Sequence, residues 1–128
     1  MILLRLTAAA LLGAALLVPA IARAEEGDAA RGRSLFQRQC QACHQAVQPR
    51  HGVGPSLQGV VGRAAASAAG YNYSPALKAS GLTWTAEVLQ DFLGAPTVRV
   101  PGTRMVQRVA AEQDRRDIVA FLAEQTAP

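Results

Sequence analysis

The sequence predicts an all-α fold of four or so short helices joined by long loops. Apolar residues recur at helical spacing in several short segments, and no segment clearly alternates with the period of a β-strand. Glycine and proline are dense between these segments, most of all in residues 45–72, which indicates loop and turn. Loops of this length are unusual in a small domain unless something organises them. A large apolar group bound among the helices would organise the loops and complete a thin core.

The first helix is predicted over residues 26–41, with Asp28 near its start, where a negative charge suits the helix dipole. Ser74 and Pro75 then provide an N-cap followed by proline at the first helical position, which predicts a short second helix. Gly81 is expected to end this helix shortly afterwards.

A third helix is predicted over residues 85–93, where the apolar side chains share one face. Residues 95–108 contain proline and glycine and are expected to form another loop. The last helix is predicted over residues 112–124. Asp114 and Asp117 lie in its early turns, where their charges suit its N-terminal dipole.

Residues 1–24 have the pattern of a cleaved signal peptide. Arg5 precedes an apolar run from Leu6 to Ala22, and Ala22-Arg23-Ala24 forms a small-x-small cleavage site. The alternative is a membrane anchor, but the apolar run is at the short end of the spanning range and contains a proline. We therefore expect export and cleavage.

Residues 25–128 are then a single small domain, expected in the periplasm of a Gram-negative bacterium. Arg5 and Arg23 would leave with the leader, which lowers the formal net charge of +4 by two. No basic run is interleaved with aromatic residues, so no nucleic-acid partner is expected. No later segment is apolar enough to span a bilayer, so no membrane span is expected after cleavage.

Both cysteines of the chain lie in the stretch Cys40-Gln41-Ala42-Cys43-His44. A disulfide is common in exported proteins, but one that closes so short a loop stabilises little. A structural zinc site needs four ligands, and His51 is the only spare histidine. A thioredoxin-type redox pair needs a βαβ context that the flanking sequence lacks.

The same stretch has the spacing C-x-x-C-H, which is the attachment sequence of c-type haem. Two thiols at this spacing can reach two vinyl groups on one haem edge and form thioethers with them. The histidine that follows directly, His44, can bring its imidazole to the iron. Export, the lack of any further cysteine and the short helices favour one haem c attached through Cys40 and Cys43.

An iron ion bound by His44 on one face of the haem needs a ligand on the other face. Met105 is the only methionine outside the leader. A lone methionine is more often core filler on a helix, but Met105 lies in a polar loop constrained by Pro101 and Gly102. His51 is the rival ligand. It follows His44 by only a few residues, so the chain between them is expected to stay on one haem face. We therefore expect Met105 rather than His51 at the iron.

These ordered motifs resemble those of class I cytochrome c, and in particular the small monohaem cytochromes of the bacterial c2 type. The resemblance covers nearly all of residues 27–125. Gly32 with Leu35 and Phe36 is similar to the family's N-terminal helix, and residues 118–122 are similar to its C-terminal helix. In the family these helices cross at the glycine. The resemblance therefore implies the class I cytochrome c fold, wrapped around one covalently attached haem.

The resemblance also implies which residues surround the haem. Pro55, in a stretch similar to the family's G-P-x-L turn, would accept a hydrogen bond from the ring N–H of the ligand histidine. Tyr73 and Trp84 match aromatic residues beside the haem propionates, and Arg63 matches a basic residue near the same groups. Thr103, in the loop of the distal ligand, is expected near a propionate.

Three positions depart from the family's pattern. Many relatives carry a lysine before the distal methionine, where this chain has Arg104, and an aromatic residue two positions after it, where this chain has Gln107. Phe92 stands where an aromatic residue with a hydroxyl group is common. These differences bear on the strength of the Met105–iron bond and on the reduction potential, and not on the fold.

The resemblance implies a soluble one-electron carrier of respiratory or periplasmic electron transport, and not an enzyme. Its iron would cycle between the ferric and ferrous states with histidine and methionine ligation, which raises the reduction potential. Redox partner proteins would meet the monomer transiently at an exposed haem edge near Cys40 and Cys43. The alternative is a haem enzyme or gas-binding protein in which Met105 is a labile ligand.

Overall fold

The computed structural model describes residues 26–127, which form five helices connected by long loops. In chain order these are α1 (Ala29–Gln39), α2 (Pro75–Ala79), α3 (Ala86–Gly94), α4 (Pro96–Arg99) and α5 (Glu112–Ala123). None of these five helices has the length and apolar character needed to cross a bilayer. Within this part of the chain, β pairing is limited to one isolated bridge between Ala64 and Thr83. The predicted leader, residues 1–24, lies outside the described residues.

Helix α1 is shorter at both ends than the predicted span of residues 26–41. Gly27 has a left-handed backbone conformation with φ of +84°, and a Cβ atom there would lie 2.4 Å from the carbonyl oxygen of Arg116. Asp28 therefore caps the helix, and its carboxylate accepts a hydrogen bond from the N–H of Arg31 at 3.0 Å. The helix ends at Gln39, which places both cysteines just beyond its last turn.

Side-chain caps start the two middle helices where the sequence predicts them. The Ser74 hydroxyl accepts a hydrogen bond from the N–H of Leu77 at 3.1 Å, and Thr85 caps α3 in the same way. The prediction of a loop over residues 95–108 is wrong at its start, where Pro96 begins the short helix α4. Proline fits this position because it lacks the N–H that the first turn of a helix leaves unbonded.

The core forms where α5 packs across α1 and beside α3. Gly32 lies at the crossing of α1 and α5, and a Cβ atom there would lie only 1.8 Å from the carbonyl oxygen of Asp117. The two backbones approach this closely because residue 32 has no side chain. One turn further along each helix, Phe36 and Phe121 pack with ring centroids 5.4 Å apart. The crossing thus fixes the position of α1 and of the cysteines that follow it.

Asp117 is buried at the same crossing, although the sequence suggests only an interaction with the dipole of its own helix. Its Oδ1 accepts hydrogen bonds from the N–H of Asp28 at 2.8 Å and from the side chain of Gln113 at 2.9 Å, and its Oδ2 pairs with Arg31. Burial raises the pKa of Asp117, but these hydrogen bonds outweigh burial and hold the pKa below its ordinary value. The ionised carboxylate therefore joins the start of α1 to α5.

Substitution Gly32→Ala is expected to destabilise the protein by about 3 kcal/mol, because the added methyl group cannot fit beside the Asp117 carbonyl. Gly94→Ala is a matched control. Gly94 also lies in a helix, and a Cβ atom there would meet the side chain of Arg115 at 3.3 Å and no backbone atom among its nearest neighbours. Its effect should stay within about 1 kcal/mol. Denaturant unfolding measures both, and equal losses of stability would contradict the close crossing.

Asp117→Asn keeps the Oδ1 acceptor but turns an amide N–H₂ toward Arg31, so a loss of about 1–2 kcal/mol is expected at neutral pH. Because the folded pKa of Asp117 is lowered, its stabilisation is present above the ordinary value of 3.8 and is lost as the pH falls through the lowered pKa.

The difference in unfolding free energy between wild type and Asp117→Asn should therefore shrink as the pH is lowered from about 6 to about 3. Asp114→Asn is the control, since it removes the more exposed carboxylate partner of Arg31 and should cost less. A difference that stays constant over this pH range would contradict the ionised pair.

Candidate cofactor site

The two cysteines lie in a tight turn that follows α1. The N–H groups of Cys43 and His44 both donate to the carbonyl oxygen of Cys40, each at 3.0 Å. Cys40 is half-buried against the core, whereas Cys43 is exposed, and no disulfide joins the two thiols. Burial, with a smaller contribution from Cys43, raises the pKa of the Cys40 thiol to about 11. Cys40 therefore does not have the lowered pKa of a reactive thiolate.

The ring of His44 is held by the loop that follows it. Its Nδ1–H donates to the carbonyl oxygen of Pro55 at 2.8 Å, which leaves Nε2 as the ring nitrogen that can bind a metal ion. Gly54 lies against the ring, where a Cβ atom would lie 2.3 Å from Cε1 of His44. Burial lowers the pKa of His44, and the bond to Pro55 opposes this shift. The histidine is thus oriented and favoured in the neutral form that ligates metals.

His51, the rival ligand, has both ring nitrogens engaged by the protein. Its Nδ1 accepts a hydrogen bond from the N–H of Ser56 at 2.9 Å, and its Nε2–H donates to the carbonyl oxygen of Ala69 at 2.7 Å. These bonds join two loops that are separated in the sequence. In this arrangement His51 has no nitrogen to offer to an iron ion.

Met105 lies in the segment between α4 and α5, where it is half-buried and packs against the same core as Cys40. Just before it, the N–H of Thr103 donates at 3.0 Å to the carbonyl three residues earlier, which closes a turn. The guanidinium of Arg104 donates to the carbonyl oxygen of Asn72 at 2.7 Å. The thioether is therefore carried by a segment that is fastened to the loop before α2.

Tyr73 and Trp84 are both buried. The Tyr73 hydroxyl accepts a hydrogen bond from the N–H of Ala68 at 3.2 Å, so its own proton is available to another acceptor. Trp84 packs against Phe92 with ring centroids 5.1 Å apart, and the backbone N–H of Trp84 donates to the carbonyl oxygen of Arg63 at 2.8 Å. This bond joins the backbone of Trp84 to that of Arg63.

The guanidinium of Arg63 lies along the loop that carries Pro55. It donates to the carbonyl oxygens of Ser56 and Gln58, each at 3.0 Å. Its Nε is buried and has no hydrogen-bond partner among residues 26–127. A buried donor of this kind calls for an acceptor that the described chain does not supply. The expected interaction of Arg63 with a haem propionate stays a prediction.

The donors of this site suit a haem better than a zinc ion. In the described range, no group of three or more histidine, cysteine, aspartate and glutamate side chains is arranged to hold a metal ion. Two thiols in one turn, one oriented imidazole and a thioether on a separate segment are instead the groups that attach haem c and ligate its iron. The close contact between Gly54 and the His44 ring and the buried, unpaired Nε of Arg63 agree with a large bound group.

Two further contacts of the Met105 segment could not be found from residue spacing. The side-chain amide of Gln107 donates to the carbonyl oxygen of Gln39 at 2.7 Å. The guanidinium of Arg115 donates to the carbonyl oxygens of Val109 and Ala110, at 2.9 and 2.7 Å. Both contacts depend on the path of an irregular segment. The one signal in the sequence is that glutamine at position 107 departs from the family's aromatic residue.

Comparison with known proteins identifies the family. Residues 29–126 match the family model described as Cytochrome c. Cytochrome c2 of Rhodomicrobium vannielii is 48% identical over 119 residues, which cover 91% of this chain and 93% of the relative. Cytochrome c2 of Rhodopila globiformis is 44% identical over 100 residues, which cover 77% of this chain and 94% of the relative.

Solved structures agree with this result. Cytochrome c2 from Rhodospirillum centenum is similar with a TM-score of 0.74 and 35% identity, over 79% of this chain and 100% of that one. Cytochrome cH from Methylobacterium extorquens is similar with a TM-score of 0.72 and 45% identity, over 77% of this chain and 99% of that one. The predicted all-α class I fold and the covalent haem c on Cys40 and Cys43 are confirmed. The chain belongs to the cytochrome c family and is a class I c-type cytochrome, an electron carrier.

Proposed function

We propose that His44 and Met105 are the axial ligands of the haem c in this soluble one-electron carrier. When bound, the haem supplies an iron ion that takes up and releases one electron. The observation that carries the proposal is the hydrogen bond from Nδ1 of His44 to Pro55, at 2.8 Å, which sets Nε2 as the ligand atom. Because Gly54 has no side chain, its backbone can lie directly against the imidazole ring.

Met105 is proposed as the second ligand because it is the only methionine outside the leader and its segment is fastened on both sides. Arg104 bonds to the loop before α2, and the N–H of Val109 donates to the carbonyl oxygen of Leu93 in α3 at 2.8 Å. An electron carrier exchanges electrons readily when the surroundings of its iron change little between the two oxidation states. Ligand segments that the protein itself holds in place serve this requirement.

We assign the surroundings of the haem propionates to Arg63, Tyr73, Trp84 and Thr103. The Tyr73 hydroxyl proton and the buried Nε of Arg63 are two donors that a carboxylate could use. A carboxylate in a partly buried site needs such donors, because burial without hydrogen bonds is costly. This assignment gives the buried Nε of Arg63 a hydrogen-bond acceptor.

We further propose that the protein is not an enzyme and acts as a monomer between periplasmic redox proteins, after loss of residues 1–24. Exposed side chains lie in the attachment turn and in the Met105 segment, since Cys43 is exposed and Val106, next to Met105, is 73% exposed. A small surface of this kind suits the brief encounters of redox partners, which bury less than about 1,200 Å².

Met105→Ala is expected to abolish the near-infrared sulfur-to-iron charge-transfer band of the ferric holoprotein and to lower the reduction potential by at least about 0.1 V. The thioether, which favours the reduced state, would be gone. His51→Gln is the control and should keep the band, because both nitrogens of His51 are bonded to the protein.

Optical spectroscopy and a redox titration of the purified holoproteins provide the readout. A Met105→Ala variant with the spectrum and potential of wild type would place the ligand elsewhere. A high-spin ferric wild type that binds cyanide rapidly would instead favour a haem enzyme or gas-binding protein.

A further inference from the structure

We propose that Gln107 is a positioning residue for the Met105 ligand, because its side-chain amide fastens the ligand segment to the end of α1, beside the haem-attachment turn. The inference rests on the proposed ligation by His44 and Met105.

The bond spans the two halves of the site. The amide of Gln107 donates to the carbonyl oxygen of Gln39 at 2.7 Å, across 68 positions of the chain. Gln39 is the last residue of α1 and directly precedes Cys40, and Gln107 follows Met105 by two positions. Each end of this hydrogen bond therefore lies within two residues of a group that holds the haem.

The acceptor is a carbonyl that the helix itself leaves unbonded. At the end of α1, the next two N–H groups turn back to the carbonyl oxygen of Phe36, and those further along bond to Cys40. Within residues 26–127, no backbone N–H reaches the carbonyl oxygen of Gln39. The last carbonyls of a helix need partners from outside the helix, and the Gln107 amide supplies one of them.

The segment around the ligand has little other support. In the part of the chain that the structure describes, no backbone hydrogen bond involves residues 105–108. Arg104 fastens the segment on the side of α2, and Arg115 fastens it at Val109. Gln107 lies between these two points and is the tether that reaches α1. Its loss would let residues 105–108 move away from the attachment turn while both outer fastenings remain.

Gln107 is exposed, so its substitution leaves the core unchanged. Gln107→Leu removes the amide. Gln107→Glu is nearly isosteric but presents an acceptor to the Gln39 carbonyl in place of a donor. Gln37→Leu is the matched control, since it removes an exposed glutamine from α1 itself.

The experiment uses the ferric holoproteins and measures the near-infrared band, the association rate of cyanide, the reduction potential and the denaturant midpoint. Both Gln107 variants should bind cyanide roughly three- to tenfold faster than wild type, which corresponds to the loss of one hydrogen bond. Their near-infrared band should weaken and their potential should fall, with little change in the denaturant midpoint. Gln37→Leu should match wild type in all four measurements.

Three results would overturn the inference. If wild type shows the band and both Gln107 variants match its band and cyanide rate, Gln107 does not position Met105, and the proposed ligation stands. If the denaturant midpoint falls while the cyanide rate is unchanged, the bond serves folding alone. If wild type lacks the band, the proposed Met105 ligation fails, and the role of Gln107 fails with it.

Discussion

The contact between the backbones of α1 and α5 at Gly32 is the constraint on which the rest of the structure depends. Because the Asp117 carbonyl occupies the place of a side chain at residue 32, α1 has one position against α5. The buried Asp117 carboxylate then bonds to the start of α1, and the phenylalanine pair packs one turn further along. The attachment turn of Cys40 and Cys43 follows α1 directly, so the helix crossing also determines where the haem is held.

Hydrogen bonds from side chains to backbone help to hold the long loops, together with the backbone–backbone bonds of their turns. His51 joins the loop after the attachment turn to the loop before α2, Arg63 holds the stretch after Pro55, and Arg104 fastens the Met105 segment to Asn72. Each of these bonds supplies a partner to a backbone group that a loop would otherwise leave unpaired. Loops held in this way can keep ligands in place with few helices, although an isolated loop of this length would be flexible.

The sequence predicted the features that depend on local spacing. The C-x-x-C-H turn, the capped helices at Ser74 and Thr85 and the glycine crossing all follow from residues that are close together or from the family resemblance. The late start of α1 was missed because the conformation of Gly27 depends on a carbonyl of α5. The burial of Asp117 and the bond from Gln107 to Gln39 were missed for the same reason, since both join residues that only the tertiary fold brings together.

The central claim is that the turn at Cys40 and Cys43 holds one haem through two thioethers. The most direct test is the mass of the protein exported by cells that attach haem to c-type cytochromes, measured after denaturation in acid. The account predicts the mass of residues 25–128 plus one haem, with the haem retained on the polypeptide after acid extraction. The mass of the same chain less two hydrogen atoms, with no haem retained, would show a disulfide between Cys40 and Cys43 and would contradict it.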